Sequence, residues 1–344
     1  MSKLGFGIVG TGLIAGAIAD ALSKSAKATL VAVSSRKMET AQQFVKTRAG
    51  VAAVQGVDSL LARNDVQAVY VATPTAVKEE IARAAIEADK HVLVDKPFVS
   101  WESLRRIIDL AAARGIAFMD ATHFVHHPRT TIIKNAIPEK IGTPKSLHTA
   151  FYFPLSDRNN IRFDVSQEPM GALGDMGWYS MRAIVEYLQP EGKVITAVTS
   201  PEYDEKTGAI VRTSGLIAFE GGKVSTFDVG YTAGATLMDL QLLGTTGMIG
   251  IDDFVLVWAN SWAFQSPEST TGYSYRSGIG TRADITFIAT PAHVAQEVSM
   301  LDHFSEIALS GKKNDYIAAS LRTQEYIDTL WMATASNVPA PARI

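Results

Sequence analysis

A short apolar run, Leu4-Gly5-Phe6-Gly7-Ile8-Val9-Gly10, passes directly into Thr11-Gly12-Leu13-Ile14-Ala15 and a helix-forming stretch that lasts to about Lys24. Few local patterns restrict a fold more. A strand that turns at once into a helix crowds its own backbone, and the spacing of Gly10, Gly12 and Ala15 puts a small residue at each crowded point. Gly10 permits the tight turn, Gly12 lets a ligand approach the backbone, and Ala15 lets helix and strand pack closely. In this context the pattern is the pyrophosphate-binding turn of a dinucleotide fold, with the helix N-terminus facing the phosphates. Gly10, Thr11, Gly12, Leu13 and Ile14 are therefore candidate cofactor contacts. Glycines at such spacing also make ordinary turns; the strand before and the helix after select the reading.

The second strand, Thr29-Leu30-Val31-Ala32-Val33-Ser34, closes with Ser35-Arg36-Lys37 rather than with an acid. A carboxylate there would bond the ribose 2′-hydroxyl of NAD and repel a 2′-phosphate, whereas hydroxyls and a guanidinium suit that phosphate. Ser35 and Arg36 thus point to NADP(H) over NAD(H). The alternative is that Arg36 and Lys37 only open the next helix on its solvent side.

At 344 residues, 47% apolar and 19% charged, the chain has room for two domains with sizeable cores. A net charge of −3 gives no electrostatic case for nucleic acid or an anionic membrane. The apolar run from Leu4 to Ala19 is interrupted by glycines and already used as strand, turn and helix, so neither a leader nor a membrane span is expected. With no cysteine there are no disulfides or thiolate ligands. A cytoplasmic location fits best, and an oxidising compartment is also compatible.

Strand-like and helix-like segments alternate up to about Asp120, the signature of a parallel sheet with crossover helices. After the first two strands come a helix from about Val57 to Arg63, a strand Ala68 to Ala72, a helix from about Val77 to Ala88 and the strand His91 to Val94. A helix from about Trp101 to Ala113 and a strand Ile116 to Met119 follow, which places five strands of a pattern read as six-stranded. From about Lys145 the texture becomes β-rich, in runs at Ser146–Phe153, Val194–Ser200, Ile210–Phe219, Lys223–Tyr231 and Leu237–Leu243, with a helix between about Leu173 and Leu188. Short turns between successive runs imply a mostly antiparallel sheet. Helical patterns near His293–Leu309 and Tyr316–Met332 close the chain. The expected architecture is α/β plus α+β: a Rossmann domain over residues 1–122 and an open-sheet domain for substrate and oligomerisation over 123–344. An open sheet must cover its free face, so a homodimer or homotetramer is expected.

Thr73-Pro74-Thr75 and Asp95-Lys96-Pro97 each follow a strand and land on the sheet rim, where the nicotinamide end of a dinucleotide would lie. Lys96 ends a strand that should be buried on both faces, and Pro97 biases its backbone toward an extended form. A second candidate segment is Gly171 to Tyr179. If a helix starts near Leu173, Asp175 lies in its first turn and shares a face with Tyr179. The alternative is that Asp175 only caps the helix and Tyr179 belongs to the core. His123, His126 and His127 form a histidine cluster lacking the further ligands that zinc needs, so substrate contact by His126, or packing, is preferred to a metal. Arg162 either reaches a polyol or acidic substrate or stands in solvent.

These residues together resemble the glucose-fructose oxidoreductase and inositol dehydrogenase family (Gfo/Idh/MocA) over nearly the whole chain. The resemblance rests on the glycine fingerprint, Ala72-Thr73-Pro74-Thr75, Lys90-His91-Val92 leading into Asp95-Lys96-Pro97, and Gly171 to Tyr179. It implies a nucleotide-binding domain, an open antiparallel sheet, and nicotinamide-dependent oxidation or reduction of sugars, cyclitols and related alcohols. Asp95 stands where the family usually has glutamate. Tyr179 replaces a common histidine, as in the glucose-fructose oxidoreductase and dimeric dihydrodiol dehydrogenase branches. Lys78 stands where many members have histidine.

Hydride leaves a carbinol carbon only as its hydroxyl proton departs, and a tyrosine with a pKa near ~10 is mostly protonated at neutral pH. A nearby Lys96 ammonium would favour the phenolate, making Tyr179 the base in oxidation and the acid in reduction, with Asp175 holding a substrate hydroxyl. Lys96 exchanging the proton itself is an open alternative. The expected function is NADP(H)-dependent hydride transfer at a carbinol or carbonyl carbon of a sugar or polyol. The alternatives are a trans-dihydrodiol or xenobiotic alcohol dehydrogenase and a non-catalytic NADP-binding regulator, which needs no proton relay.

Overall fold

The computed structural model describes residues 3–279, 281–311 and 314–336. It divides into two compact units, one running to His127 with Val294–Leu321 added, the other comprising Pro128–His293 and the chain from Arg322.

The first unit opens with β1 (Leu4–Val9), α1 (Leu13–Lys24), β2 (Ala28–Ser35), α2 (Met38–Val45), β3 (Ala52–Gln55) and α3 (Val57–Leu61). It continues through β4 (Ala68–Val71), α4 (Lys78–Glu87), β5 (His91–Val94), α5 (Trp101–Ala113) and β6 (Phe118–Asp120). All six strands are parallel, in the order β3-β2-β1-β4-β5-β6. Every residue of β1 and β4 is buried, as expected of strands covered by helices on both faces. The sheet is built outward from β1 to β3 in one direction and from β4 to β6 in the other, so the loops after β1 and β4 flank a topological switch point, where such sheets bind ligands. The strand that sequence left unplaced is β3, whose Ala52-Ala53-Val54-Gln55 buries a single residue, Val54, and so lacks the apolar run that marks the other strands. Ser100 begins α5 by accepting a 3.2 Å bond from the Ser103 amide.

The second unit begins with α6 (Pro128–Lys140), β7 (Pro144–Tyr152), α7 (Gly171–Asp175), α8 (Gly177–Ala183) and a π-helical turn Ile184–Leu188. Strands β8 (Val194–Tyr203), β9 (Ile210–Phe219), β10 (Val224–Gly230), β11 (Leu237–Gly244), β12 (Gly247–Ile251), β13 (Gly272–Ser277) and β14 (Thr286–Ala289) follow. They form an open sheet in the order β14-β13-β12-β11-β7-β10-β9-β8, antiparallel except where β7 meets β10. The last three strands lie beyond the runs legible in sequence. The single helix expected from Leu173 starts at Gly171 instead and is broken into α7, α8 and the π turn. Gly171 takes a φ of +48°, and a Cβ there would meet the Ile210 carbonyl oxygen at 2.3 Å.

Helices α9 (Gln296–Ser310) and α10 (Tyr316–Ser336) close the described chain. The expected division at residues 122 and 123 differs from the observed one, because α9 returns to the first unit. The reason is packing: Val298, Met300, Leu301 and Phe304 join Phe6, Ile8, Ile18 and Leu22 in one core, with the Phe6 and Phe304 rings 5.8 Å apart. Asp302 accepts bonds from the Ser25 hydroxyl and the Lys27 amide, fixing the end of α1 to α9.

Candidate active site

In the first unit the glycine turn has the form the fingerprint requires. Gly10 adopts a φ of +115°, and a Cβ there would lie 2.3 Å from the Ala72 carbonyl oxygen, so no larger residue fits. Nothing stands within 4 Å of the position a Gly12 Cβ would take. No side chain caps α1, whose first amides therefore stay open to an anion, with Thr11 and Ile14 half-buried and Gly12 and Leu13 exposed around them. Ala15 is fully buried, as close helix packing demands. Beyond β2, Ser35 is half-buried and Arg36 exposed, the Arg36 guanidinium making no bond to the described residues. At the end of β4, Thr73 has a buried Oγ1 with no hydrogen-bond partner among the described residues. A buried hydroxyl left open at the rim is the expected mark of a ligand contact. This set fits a dinucleotide carrying a 2′-phosphate.

Asp95 and Lys96 occupy the rim after β5. The Asp95 carboxylate accepts the Lys96 amide at 3.0 Å, so it shapes the loop, and the Lys96–Pro97 bond is cis. Lys96 is only 8% exposed. Its charge is felt at His123, whose pKa falls to about 3 mainly through burial and then through the Lys96 ammonium. His123 is thus a neutral imidazole, 2.8 Å from the side-chain amide of Gln296. His126, expected to touch substrate, is buried against residues of α9 and α10. Its Nδ1 lies 2.9 Å from Nδ1 of His303 and its ring packs 4.7 Å from that of Tyr316, which makes it part of the packing of α9 and α10 on the first unit. Thr75 and Lys78 are both buried next to this loop, and Lys78 faces protein oxygens.

In the second unit, Asp175 is the last residue of α7, which corrects its expected place in a first helical turn. Arg162, from the turn Ile161–Phe163, donates through Nε to Asp175 Oδ2 at 2.6 Å. The Tyr231 hydroxyl donates to the same oxygen at 3.1 Å. The Asp175 charge holds the Arg162 guanidinium firmly protonated, while burial and then Asp175 push the Tyr231 phenol well above its ordinary range. Tyr231 is therefore a neutral donor, and Arg162 and Tyr231 both donate to the Asp175 carboxyl group. Tyr179, the third residue of α8, is 7% exposed and meets Phe151 edge-on at 5.5 Å. Sequence reasoning missed Tyr231 and Gln296. The signal for Tyr231 was present: Phe227, Val229 and Tyr231 alternate onto the buried face of β10 and its continuation, and a buried tyrosine hydroxyl requires a partner.

A switch-point glycine turn with a buried lysine on the same sheet rim is the arrangement of a nicotinamide-dependent oxidoreductase. The chain matches the profile of the oxidoreductase family with an NAD-binding Rossmann fold, GFO/IDH/MocA, over residues 4–121, and that of the GFO/IDH/MocA C-terminal domain over residues 134–250. It belongs to that family. It is 34% identical over 228 residues, 64% of either chain, to the dTDP-3,4-didehydro-2,6-dideoxy-alpha-D-glucose 3-reductase of Streptomyces violaceoruber. It is 28% identical to the Actinomadura kijaniata reductase of the same name over 88% of this chain and 86% of that one. The crystal structure of KijD10, a 3-ketoreductase from Actinomadura kijaniata in complex with NADP and TDP-benzene, superposes with a TM-score of 0.86 at 25% identity, covering 96% of this chain and 98% of that one.

Proposed function

We propose that the protein uses NADP(H) to reduce a keto group, or to oxidise the corresponding carbinol, on a sugar, and that its substrate is a nucleotide-linked ketosugar. The observation that carries the NADP(H) reading is the uncapped turn at Gly10–Ile14 followed by an exposed Arg36 at the end of β2. The substrate class is supported by the reductases named above, which act on dTDP-linked sugars by name. A relative named D-xylose 1-dehydrogenase (NADP(+)) 2, 26% identical over 63% of this chain, keeps free aldoses as the second reading.

Bound NADPH supplies the hydride. Gly10, Thr11, Gly12, Leu13 and Ile14 would bind the pyrophosphate through backbone amides, Ser35 and Arg36 the 2′-phosphate, and Thr73, Pro74 and Thr75 the nicotinamide side. Asp95 would shape the loop that presents Lys96. Tyr179 would donate its hydroxyl proton to the nascent alkoxide oxygen, and the Lys96 ammonium would lower the cost of forming the phenolate. Asp175 would accept a hydroxyl of the sugar, with the bonds from Arg162 and Tyr231 keeping it aimed.

The outer face of the second sheet is the proposed self-association surface. One row across it runs from Val198 on β8 and Leu216 on β9 through Thr226, His148, Gln241, Gly250 and Ser274 to Phe287 on β14, so it is apolar at its two ends, where Val198 and Phe287 are 49% and 53% exposed. A monomer by light scattering at micromolar concentration would remove that part of the reading. The central test is turnover at the nicotinamide absorbance with NADPH or NADH against TDP-linked ketosugars, free aldoses and dihydrodiols. Saturable oxidation of NADPH by the nucleotide-linked ketosugars is expected; cofactor binding without turnover on any of them would overturn the proposal.

A further inference from the structure

Two rim loops that come from different strands are joined by one side chain that the mechanism leaves unused. Lys78 opens α4 just after the turn Thr75–Val77, and its side chain is 2% exposed. Its Nζ donates to the Lys96 carbonyl oxygen at 2.7 Å, the Pro97 carbonyl oxygen at 3.0 Å and Thr75 Oγ1 at 3.2 Å. An ammonium has three N–H donors and is tolerated in a protein interior where fixed oxygens replace its water. Here those oxygens lie on the loop after β4 and on the loop after β5. Within the Thr73-Pro74-Thr75 turn the two hydroxyls are divided. Thr75 Oγ1 accepts from the lysine beneath, whereas the buried Thr73 Oγ1 meets no partner among the described residues.

We propose that Lys78 is a positioning residue that clamps the two rim loops into one wall, fixing the backbone from which Lys96 projects and the turn that presents Thr73. The proposal rests on the reading of this rim as the nicotinamide end of the cofactor site. It follows that Lys78 acts on the part of the cofactor over the rim and not on the adenosine end, which is held by the separate turn at Gly10–Ile14 and by Arg36. A charged hydrogen-bond donor aimed at two successive carbonyls also turns those carbonyls inward, which leaves the outer side of the Lys96-Pro97 step to the ligand.

The test is Lys78→Met, with Lys78→Gln as the milder variant that keeps an N–H donor. Titration calorimetry with NADPH and with 2′,5′-ADP, which lacks the nicotinamide, separates the two ends of the site. The expected result for Lys78→Met is NADPH binding weaker by at least about tenfold, with 2′,5′-ADP unchanged within about twofold. Lys78→Gln should recover part of the loss. Hydrogen exchange of the unliganded protein should show faster exchange at the Asp95, Lys96 and Phe98 amides and unchanged exchange in β1 and β2. Equal losses for both ligands, or no loss for either with unchanged exchange at 95–98, would overturn the clamp. If wild-type protein binds NADPH no better than 2′,5′-ADP, the reading of the rim fails, and the exchange rates at 95–98 alone decide whether Lys78 clamps the loops.

Discussion

Glu297, in the first turn of α9, is 4% exposed, and its Oε1 has no hydrogen-bond partner among the described residues. Burial raises its pKa from 4.5 to about 7, against smaller opposing effects of a backbone bond, Gln296 and Lys24. In the unfolded chain the carboxyl keeps its ordinary value, so from pH 4.5 to about 7 the folded protein retains a proton that the unfolded chain has released. The sign follows: stability is full below pH 4.5, falls as pH rises through about 7, and stays reduced above it. The difference between the two pKa values corresponds to about 3 kcal/mol. Glu297→Gln removes the titration and keeps the shape of the side chain. The variant is expected to gain up to about 3 kcal/mol over the parent at pH 8 relative to the difference between them at pH 4.5. Because two compact units need not unfold together, the assay is denaturant unfolding read by pulsed hydrogen exchange at β1 and α9, which reports the first unit. A stability difference between variant and parent that stays constant from pH 4.5 to 8 would refute the argument.

Tyr179→Phe and Lys96→Met are each expected to lower turnover at least ~100-fold with NADPH binding nearly intact, checked by steady-state rates beside fluorescence titration. Near-normal rates in both would sink the proton-transfer assignment. Arg36→Glu should weaken NADPH at least ~10-fold while affecting NADH little, since it sets a carboxylate against the 2′-phosphate; equal effects on both cofactors would place Arg36 outside the site. Arg162→Met removes the guanidinium that donates to Asp175 and leaves the Tyr231 bond in place. A destabilisation of about 3 kcal/mol or more and a raised KM for substrate are expected from melting curves and kinetics; an unchanged KM in a folded variant would remove Asp175 from substrate binding.

The elements legible in sequence are those set by short-range constraints. The turn after β1 could be read because Gly10, Gly12 and Ala15 each answer a local steric demand, and the helix expected from about Trp101 to Ala113 is α5, where the Ser100 cap adds a local start signal. Lys96 was legible because a cation at the end of a buried strand is out of character. The break between α7 and α8 was not: Gly174 and Gly177 flank it, but isolated glycines are tolerated inside helices and Met176 retains near-helical angles. Strands β12, β13 and β14 escaped because they are short and interrupted by glycine and polar residues, and they are ordered by pairing with β11 and with one another.

Sequence alone determined the Rossmann unit, the family and the cofactor class, because each depends on residues near one another in the chain or on a composite pattern. Tertiary structure decided what those residues touch. Residues 162, 175 and 231 meet only because a turn, a short helix and the end of a strand converge, and Lys78 reaches the Lys96 and Pro97 carbonyls only because β4 and β5 are neighbours. The return of α9 to the first unit likewise depends on which apolar faces fit together. Local sterics are written in a few adjacent residues, whereas a contact across tens of residues exists only once register and packing have brought its two ends together.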